Sequence, residues 1–144
     1  MMQVLAKENI KLNQTVKSKE EAIRLAGQTL IENGYVTDDY IAKMFEREET
    51  SSTFMGNFIA IPHGTEDAKG EVLHSGISII HIPDGVEYGE GNTAKVVFGI
   101  AGKNNEHLDI LSNIAIICSE EENIERLINV KSEEELIAIF NEVN

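Results

Sequence analysis

The sequence is short of cysteine, of proline and of basic side chains, and each shortage removes a class of protein. Its one cysteine, Cys118, cannot form an internal disulfide, and nothing near it has the paired spacing of a structural zinc site. A reducing, cytoplasmic setting is the expectation. Only Pro62 and Pro83 occur, and no proline-rich linker, low-complexity tract or internal repeat divides the chain. Lysine and arginine number 12 against 25 aspartates and glutamates, a formal net charge of −13. A binder of nucleic acid or of an anionic membrane must bring cations to the phosphates, so this balance argues against both. A basic protein partner or a small ligand fits better. No apolar run approaches the roughly 20 residues that cross a bilayer, and Met1–Leu12 lacks the basic-then-apolar pattern of a secretory leader. A soluble chain that stays in the cell is therefore expected, with 144 residues sufficing for one domain over 1–144.

The elements follow from period and punctuation. Ser18-Lys19-Glu20-Glu21 has the form of a capping box, and Ala22, Ile23, Ala26, Leu30 and Ile31 recur at helical spacing until Asn33-Gly34. Thr37-Asp38-Asp39 predicts the cap of a second helix with Ile41, Met44 and Phe45 on its apolar side, fading out in Glu46-Arg47-Glu48-Glu49. The period then changes. Residues 58–61, 77–82 and 94–100 read as three strands, the first two stopped by Pro62 and Pro83. From Asn104 the helical period returns, with Leu108, Leu111, Ile114, Ala115 and Cys118 on one side. Ile124, Leu127 and Ile128 come next, then a last helix capped at Ser132. Strands framed by helices predict an α/β fold: a single-domain sandwich, its mixed central sheet covered by helices on both faces.

Histidine is the side chain whose charge changes most readily near neutral pH, so the four histidines are weighed first. His63 follows Ile59-Ala60-Ile61-Pro62, where a buried strand runs out toward solvent, and Gly64 leaves the backbone open to close approach by a ligand. Local pattern leaves open whether His63 reacts or merely ends a strand. His107 follows Asn104-Asn105, a good N-cap, and so falls in the first turn of a helix. There the dipole disfavours imidazolium and the free amides attract an anion. Taken by itself, an exposed histidine with no task is the simpler reading. His74 reads as a surface residue before a strand and His81 as a strand-end residue facing solvent. No pair of histidines has metal-ligand spacing, so neither a metal nor another cofactor is expected. Gly64 to Gly70 resembles a phosphate loop but lacks the Gly-Lys-Ser/Thr ending, no Gly-x-Ser-x-Gly elbow exists, and Cys118 reads as a buried, inert thiol.

Taken together, two blocks carry a resemblance. Glu48, six intervening residues and then Met55-Gly56-Asn57-Phe58-Ile59-Ala60-Ile61-Pro62-His63-Gly64 closely resemble the phosphorylation-site signature of the type-2, mannitol/fructose class of enzyme IIA proteins. These serve the bacterial phosphoenolpyruvate-dependent sugar phosphotransferase system. Gly99 to Leu108 is similar to the second-histidine segment of that class, with the Asn104-Asn105-Glu106-His107 wording of its mannitol members. The resemblance implies a relay: phosphocarrier protein HPr gives its phosphoryl group to His63, which passes it to a cysteine of the enzyme IIB domain of the mannitol permease. It also implies that His107 and Arg47 assist. Family members often carry a glutamate six residues before the active histidine; Asn57 stands there, which leaves hydrogen bonding to substrate as its role, beside Gly64. A fructose-type enzyme IIA and a nitrogen-related regulatory homologue are the alternatives within the class, and a non-enzymatic ligand- or metal-binding domain is the alternative outside it.

Phosphoryl transfer agrees with these residue types. Its transition state spreads charge over three equatorial oxygens, so the protein must supply an in-line nucleophile and fixed donors. Neutral imidazole attacks without a base, and a guanidinium fork binds phosphate oxygens in pairs. Arg47 also has a plainer reading, as a surface ion-pair residue among Glu46, Glu48 and Glu49. Phe54, Met55 and Phe58 are candidates for an apolar ring around His63 on which protein partners dock, although Phe58 also suits a core.

Overall fold

The computed structural model describes residues 4–142; residues 1–3 and 143–144 of the expected 1–144 domain, including the start of the N-terminal stretch read above for a leader, lie outside the described residues. In chain order come β1 (Ile10–Lys11), α1 (Lys19–Glu32), α2 (Tyr40–Thr50), β2 (Phe54–Gly56), β3 (Ile59–Ala60), β4 (Gly76–Glu87), β5 (Thr93–Ala101), α3 (Glu106–Cys118), α4 (Glu121–Ile128) and α5 (Glu133–Asn141). The strands form one sheet in the order β1-β4-β5-β3-β2. β1 with β4 and β3 with β5 run parallel, while β4 with β5 and β2 with β3 run antiparallel, so the sheet is mixed as expected. The three expected strands are β3, β4 and β5; the very short β1 and β2 at the two edges carry too few residues to show a period.

Alternation along β4 and β5 divides the side chains between two cores. Ile80, Ile82, Val97 and Ala101 join Ala22, Ile23, Ala26 and Leu30 of α1 and Met44 of α2. On the opposite face Ile77, Ile79, Val96, Phe98 and Ile100 meet Ile110, Ile114 and Ile117 of α3, with α4 and α5 beyond. Each fully buried aliphatic side chain contributes roughly 1.5–3 kcal/mol, so these two layers hold the sheet. Covered on both faces, the first part of β4 is buried throughout and reads as a nearly continuous apolar run. Helix α1 lies close against the sheet because Ser78 Oγ donates to the Ala26 carbonyl at 2.8 Å. Gly99 leaves room for that approach: a Cβ there would overlap the Ser78 hydroxyl and come within 2.9 Å of Ala26 Cβ.

Both serine caps form. Ser18 Oγ accepts from Glu21 N and Ser132 Oγ from Glu135 N, each at 3.1 Å. The glutamates reach back one residue further than a capping box requires, to the amides of Lys17 and Lys131. Gly34, at φ 83°, ends α1 in the left-handed region as expected.

Several expectations are corrected. Asp39 precedes α2 but makes no side-chain cap, because its own backbone is already helical, whereas a capping residue must be extended; Thr37 Oγ1 donates instead to the Glu71 carboxylate at 2.9 Å. α2 ends at Thr50, just past the charged stretch where it was expected to fade, and Glu48 within that stretch is buried on its inner side. β4 runs past Pro83 to Glu87 through a register shift between His81 and Val86, where a residue lacking an N–H and Gly85 at φ 79° are accommodated. α3 buries Ile110, Ile114, Ile117 and Cys118, while Leu108 and Ala115 are exposed; a helix apolar on most sides does not declare which face the sheet will cover. His81 is buried, not solvent-facing, because β4 is an inner strand. Its Nδ1 accepts from Asn13 N at 3.1 Å and its Nε2–H donates to the Ile128 carbonyl at 2.7 Å.

The close approach at Gly99 is testable. Gly99→Ala forces α1 and β5 apart, and urea denaturation should show a loss of about 1–3 kcal/mol, the usual cost of overpacking, with the far-ultraviolet spectrum unchanged.

Candidate active site

The site begins where β3 ends. Ile100 N donates to the Pro62 carbonyl at 3.0 Å, and an isolated parallel bridge pairs His63 with Ile100, so the β3–β5 register is carried on to His63. The half-buried His63 ring holds its Nδ1 at 2.8 Å from the Ile61 carbonyl oxygen. A carbonyl only accepts, so Nδ1 carries the proton and Nε2 keeps its lone pair. Among the described residues Nε2 has no hydrogen-bond partner. Burial lowers the His63 pKa from its ordinary value of 6.5, and the positive charges of Arg47 and His107 push the same way; the Ile61 carbonyl and the Glu48 carboxylate oppose them. The outcome is a neutral imidazole of fixed tautomer.

Behind His63, Tyr40 ties the neighbouring segments together. Its hydroxyl donates to the Ile100 carbonyl at 2.7 Å and accepts from Gly64 N at 2.9 Å. Burial pushes its pKa up to about 12, against the weaker effect of the Gly64 amide, so it remains a donor at neutral pH. A Cβ on Gly64 would come within 2.7 Å of Tyr40 Cε1. Glycine is therefore required here by the tyrosine ring. Gly64 lines the cleft, as expected of a residue open to close approach, while its amide is held by Tyr40.

Arg47 lies in the last turn of α2, and its Nη1 donates to Ser51 O at 3.0 Å and Ser51 Oγ at 3.3 Å. It forms no ion pair among the described residues: Lys43 is paired with Glu46 and Lys19 with Glu48. The surface ion-pair reading of Arg47 is thus not what the structure holds. His107 is in the first turn of α3, as expected, but Asn105 does not cap it with its side chain, since Asn104 and Asn105 both take left-handed backbone (φ 57° and 69°). The loop before it is braced by Ser75, whose Oγ accepts from Lys103 N at 2.9 Å and donates to the Glu106 carboxylate. Gly102 lies directly beneath, where a Cβ would overlap the His107 backbone.

These segments enclose a cleft of about 330 Å³, lined by Arg47, His63, His107, Tyr40, Lys69 and Leu108, among others. Four sequence-selected residues, Arg47, His63, Gly64 and His107, are brought together from α2, the segment after β3 and the start of α3. Tyr40, Lys69 and the exposed Leu108 were missed, for nothing in their local pattern marks them. Asn57 is not among the cleft residues. It lies at the opposite end of β3, in the β2–β3 turn, where it and Phe58 adopt left-handed backbone (φ 51° and 71°); that conformation is one asparagine tolerates well. Met55 and Phe58 are exposed, but at this turn and away from the cleft, with Lys95 Nζ 4.9 Å above the Phe58 ring. Phe54 packs on Tyr88. The expected apolar ring is replaced at the cleft by Leu108 and Leu111 of α3.

The remaining candidates agree with their plain readings. His74 is exposed, residues 66–71 form a 3-10 turn, and burial raises the buried Cys118 thiol to about 11. Among the described residues no group of three or more histidine, cysteine or acidic side chains is gathered as a metal would require.

A strand-end histidine with one fixed proton thus shares a cleft with a guanidinium and a helix-start histidine. Residues 3–143 match the family "Phosphoenolpyruvate-dependent sugar phosphotransferase system, EIIA 2", and the chain belongs to that family. It is similar to the mannitol-specific phosphotransferase enzyme IIA component of Bacillus subtilis (strain 168), with 92% identity over 143 residues covering 99% of this chain and 100% of that protein. Among solved structures it resembles the Escherichia coli enzyme IIAMTL in complex with phosphorylated enzyme IIBMTL, with a TM-score of 0.90 and 38% identity, covering 95% of this chain and 96% of that one. It also resembles the crystal structure of the Escherichia coli IIA mannitol protein, with a TM-score of 0.87 and 39% identity, covering 94% and 97%.

The depressed pKa has a definite sign. Because the folded ring titrates below 6.5, the unfolded chain binds the proton first as pH falls, so the contribution of His63 to stability is complete above that value. It is lost as pH drops through the folded pKa. A nitrogen-15 titration should find less than half of His63 doubly protonated at pH 6.5, where a free histidine is half charged.

Proposed function

We propose that this chain is a cytoplasmic phosphoryl carrier for mannitol uptake, loaded on His63 by phosphorylated HPr and discharged to a cysteine of the mannitol enzyme IIB domain. The observation that carries this reading is the Nδ1–Ile61 hydrogen bond, which presents an unprotonated Nε2 beside Arg47 and His107. Family membership and the near-identity to a mannitol-specific component support it. The complex with phosphorylated enzyme IIB formed by a structural relative supports the second partner. No helix of the described residues is long and apolar enough to cross a membrane, in keeping with a carrier that moves between protein partners.

The chemistry is set by the geometry. Nε2 attacks the phosphorus of the donor phosphohistidine in line; the new P–Nε2 bond forms as the donor P–N bond breaks, and the donor imidazole leaves with its electron pair. No base is needed, because the attacking nitrogen bears no proton. Charge on the three equatorial oxygens is met by the Arg47 fork, by the His107 ring and by the positive end of α3. In the second transfer a thiolate sulfur attacks the same phosphorus and His63 departs as the neutral ring it was. Leu108 and Leu111 give partners an apolar edge beside the cleft. Asn57, remote from the cleft, has no direct part, whereas Gly64 lines it and also holds Tyr40.

Incubation with phosphoenolpyruvate, enzyme I and HPr should yield one acid-labile phosphoryl group that maps to His63 and transfers to a mannitol IIB domain in preference to a fructose IIB domain. His63→Ala should remain folded and take up none; uptake elsewhere on the chain would overturn the assignment. Arg47→Ala and His107→Ala should each lower the saturated transfer rate by on the order of 10²–10³, as loss of a transition-state donor does, with half-saturating HPr changed less than about fivefold.

A further inference from the structure

One acidic side chain near the cleft, Glu48, is buried without touching it. Its Oε2 accepts from Thr53 N at 2.8 Å and its Oε1 from Thr53 Oγ1 at 2.6 Å, so a single carboxylate grips both donors of one residue. Lys19 Nζ lies 3.1 Å from Oε2, and the Tyr88 hydroxyl donates to Thr53 Oγ1 at 3.0 Å. Replacing a buried ion pair by apolar groups is often neutral for stability. A carboxylate so fully engaged therefore calls for an explanation in what it holds in place.

Two routes lead from Thr53 to the reacting groups. Its carbonyl accepts from Ile61 N at 3.0 Å, and the Ile61 carbonyl is the acceptor that fixes His63 Nδ1 at 2.8 Å. Two residues before Thr53, the carbonyl and hydroxyl of Ser51 hold Arg47 Nη1. Arg47 and Glu48 are neighbours on α2, about 100° apart around the helix, so one side chain reaches the cleft while the other anchors the loop that the first leans on. Cleft and anchor are separate, since Glu48, Thr53 and Lys19 are absent from the cleft lining.

We propose that Glu48 is a positioning residue for phosphoryl transfer, setting the His63 tautomer through Thr53 and Ile61 and the Arg47 guanidinium through the Ser51–Thr53 loop. This rests on His63 as the phosphoryl acceptor. Glu48 makes no contact with the phosphoryl group; it fixes the two side chains that do, and misplacement of reacting groups by about an ångström costs on the order of 10²-fold in rate.

The test uses the full chain carrying Glu48→Gln, which keeps the shape but loses the charge and one acceptor, with Thr53→Val and Thr53→Ser as companions. Melting curves establish the folded fraction, rapid-quench transfer from phosphorylated HPr gives the saturated rate and half-saturation, and nitrogen-15 spectra report the His63 ring in the unphosphorylated protein. The expected result for folded Glu48→Gln and Thr53→Val is a saturated rate down roughly 10–100-fold with half-saturating HPr within about twofold. Their His63 spectra should change from one tautomer to a mixture, and Thr53→Ser should recover both readouts. A folded Glu48→Gln protein with the parent rate and the parent ring spectrum would overturn the proposal, as would a rate loss that only tracks the unfolded fraction. A His63→Ala control separates the two readings: if that variant still accepts phosphate, the acceptor assignment fails, whereas the ring spectra judge Glu48 without any phosphorylation.

Discussion

Parallel pairing between β3 and β5 is the constraint on which the site depends. Two parallel strands end on the same side of a sheet, so the segments after them emerge on that side too. β3 is succeeded by Ile61, Pro62 and His63, and β5 by the Gly102–Asn105 loop and His107. Histidines separated by 44 positions in the chain, 107 minus 63, are thereby delivered to one cleft. Ile100 shows how firmly the arrangement is held: its amide donates to Pro62, its carbonyl accepts from Tyr40, and its side chain is fully buried against the α3 layer. Breaking that pairing would expose backbone groups at a cost of about 1–3 kcal/mol each.

The electrostatics of the cleft is arranged for a guest that brings negative charge. Without it, Arg47 and His107 crowd His63 with positive potential, and together with burial they keep its ring neutral. Unit charges 4 Å apart interact by about 4 kcal/mol near a protein surface, so the same groups that disfavour a proton on His63 favour a dianionic phosphoryl unit. Under the proposed function one set of side chains serves both stages: it preserves the lone pair before transfer and stabilises the charge during transfer. The chain's net charge of −13 favours a basic visiting face and an encounter that weakens with salt. Such a complex releases its partner readily, as a relay requires.

Rigidity around the site comes from polar groups held under or beside it, not from the cleft itself. Tyr40 joins the ends of two segments, Ser75 braces the loop before α3, and Glu48 grips Thr53. The Tyr40 and Glu48 contacts are buried, where hydrogen bonds are strong and few alternative geometries compete, while Ser75 acts at the surface. The outer turn that carries Asn57 and Phe58 is tied to β5 through the Phe58 carbonyl, which accepts from Lys95 N and Val96 N, and leaves the Phe58 side chain exposed.

Much of this was legible in the residues. The serine caps, the Gly34 stop, the buried Cys118 and the strand signals of β4 and β5 are local chemistry, settled within a few positions, and the structure repeats them, while the expected 58–61 strand shortens to Ile59–Ala60. Features that depend on neighbours distant in the chain were not legible. Periodicity left open which side of α3 faces the sheet, since most sides are apolar. It could not show that His81 is covered, because burial there comes from β4 lying between β1 and β5. Nor could it separate Asn57 from the cleft, or join Glu48 to His63 through Thr53 and Ile61. The order of residues was enough to mark His63 as a candidate and to place the elements that frame it, because caps, turns and strand ends are short-range effects. The proton's place on that ring and the company it keeps were left to the folded chain, because both are set by hydrogen bonds and charges that the sheet order brings within reach.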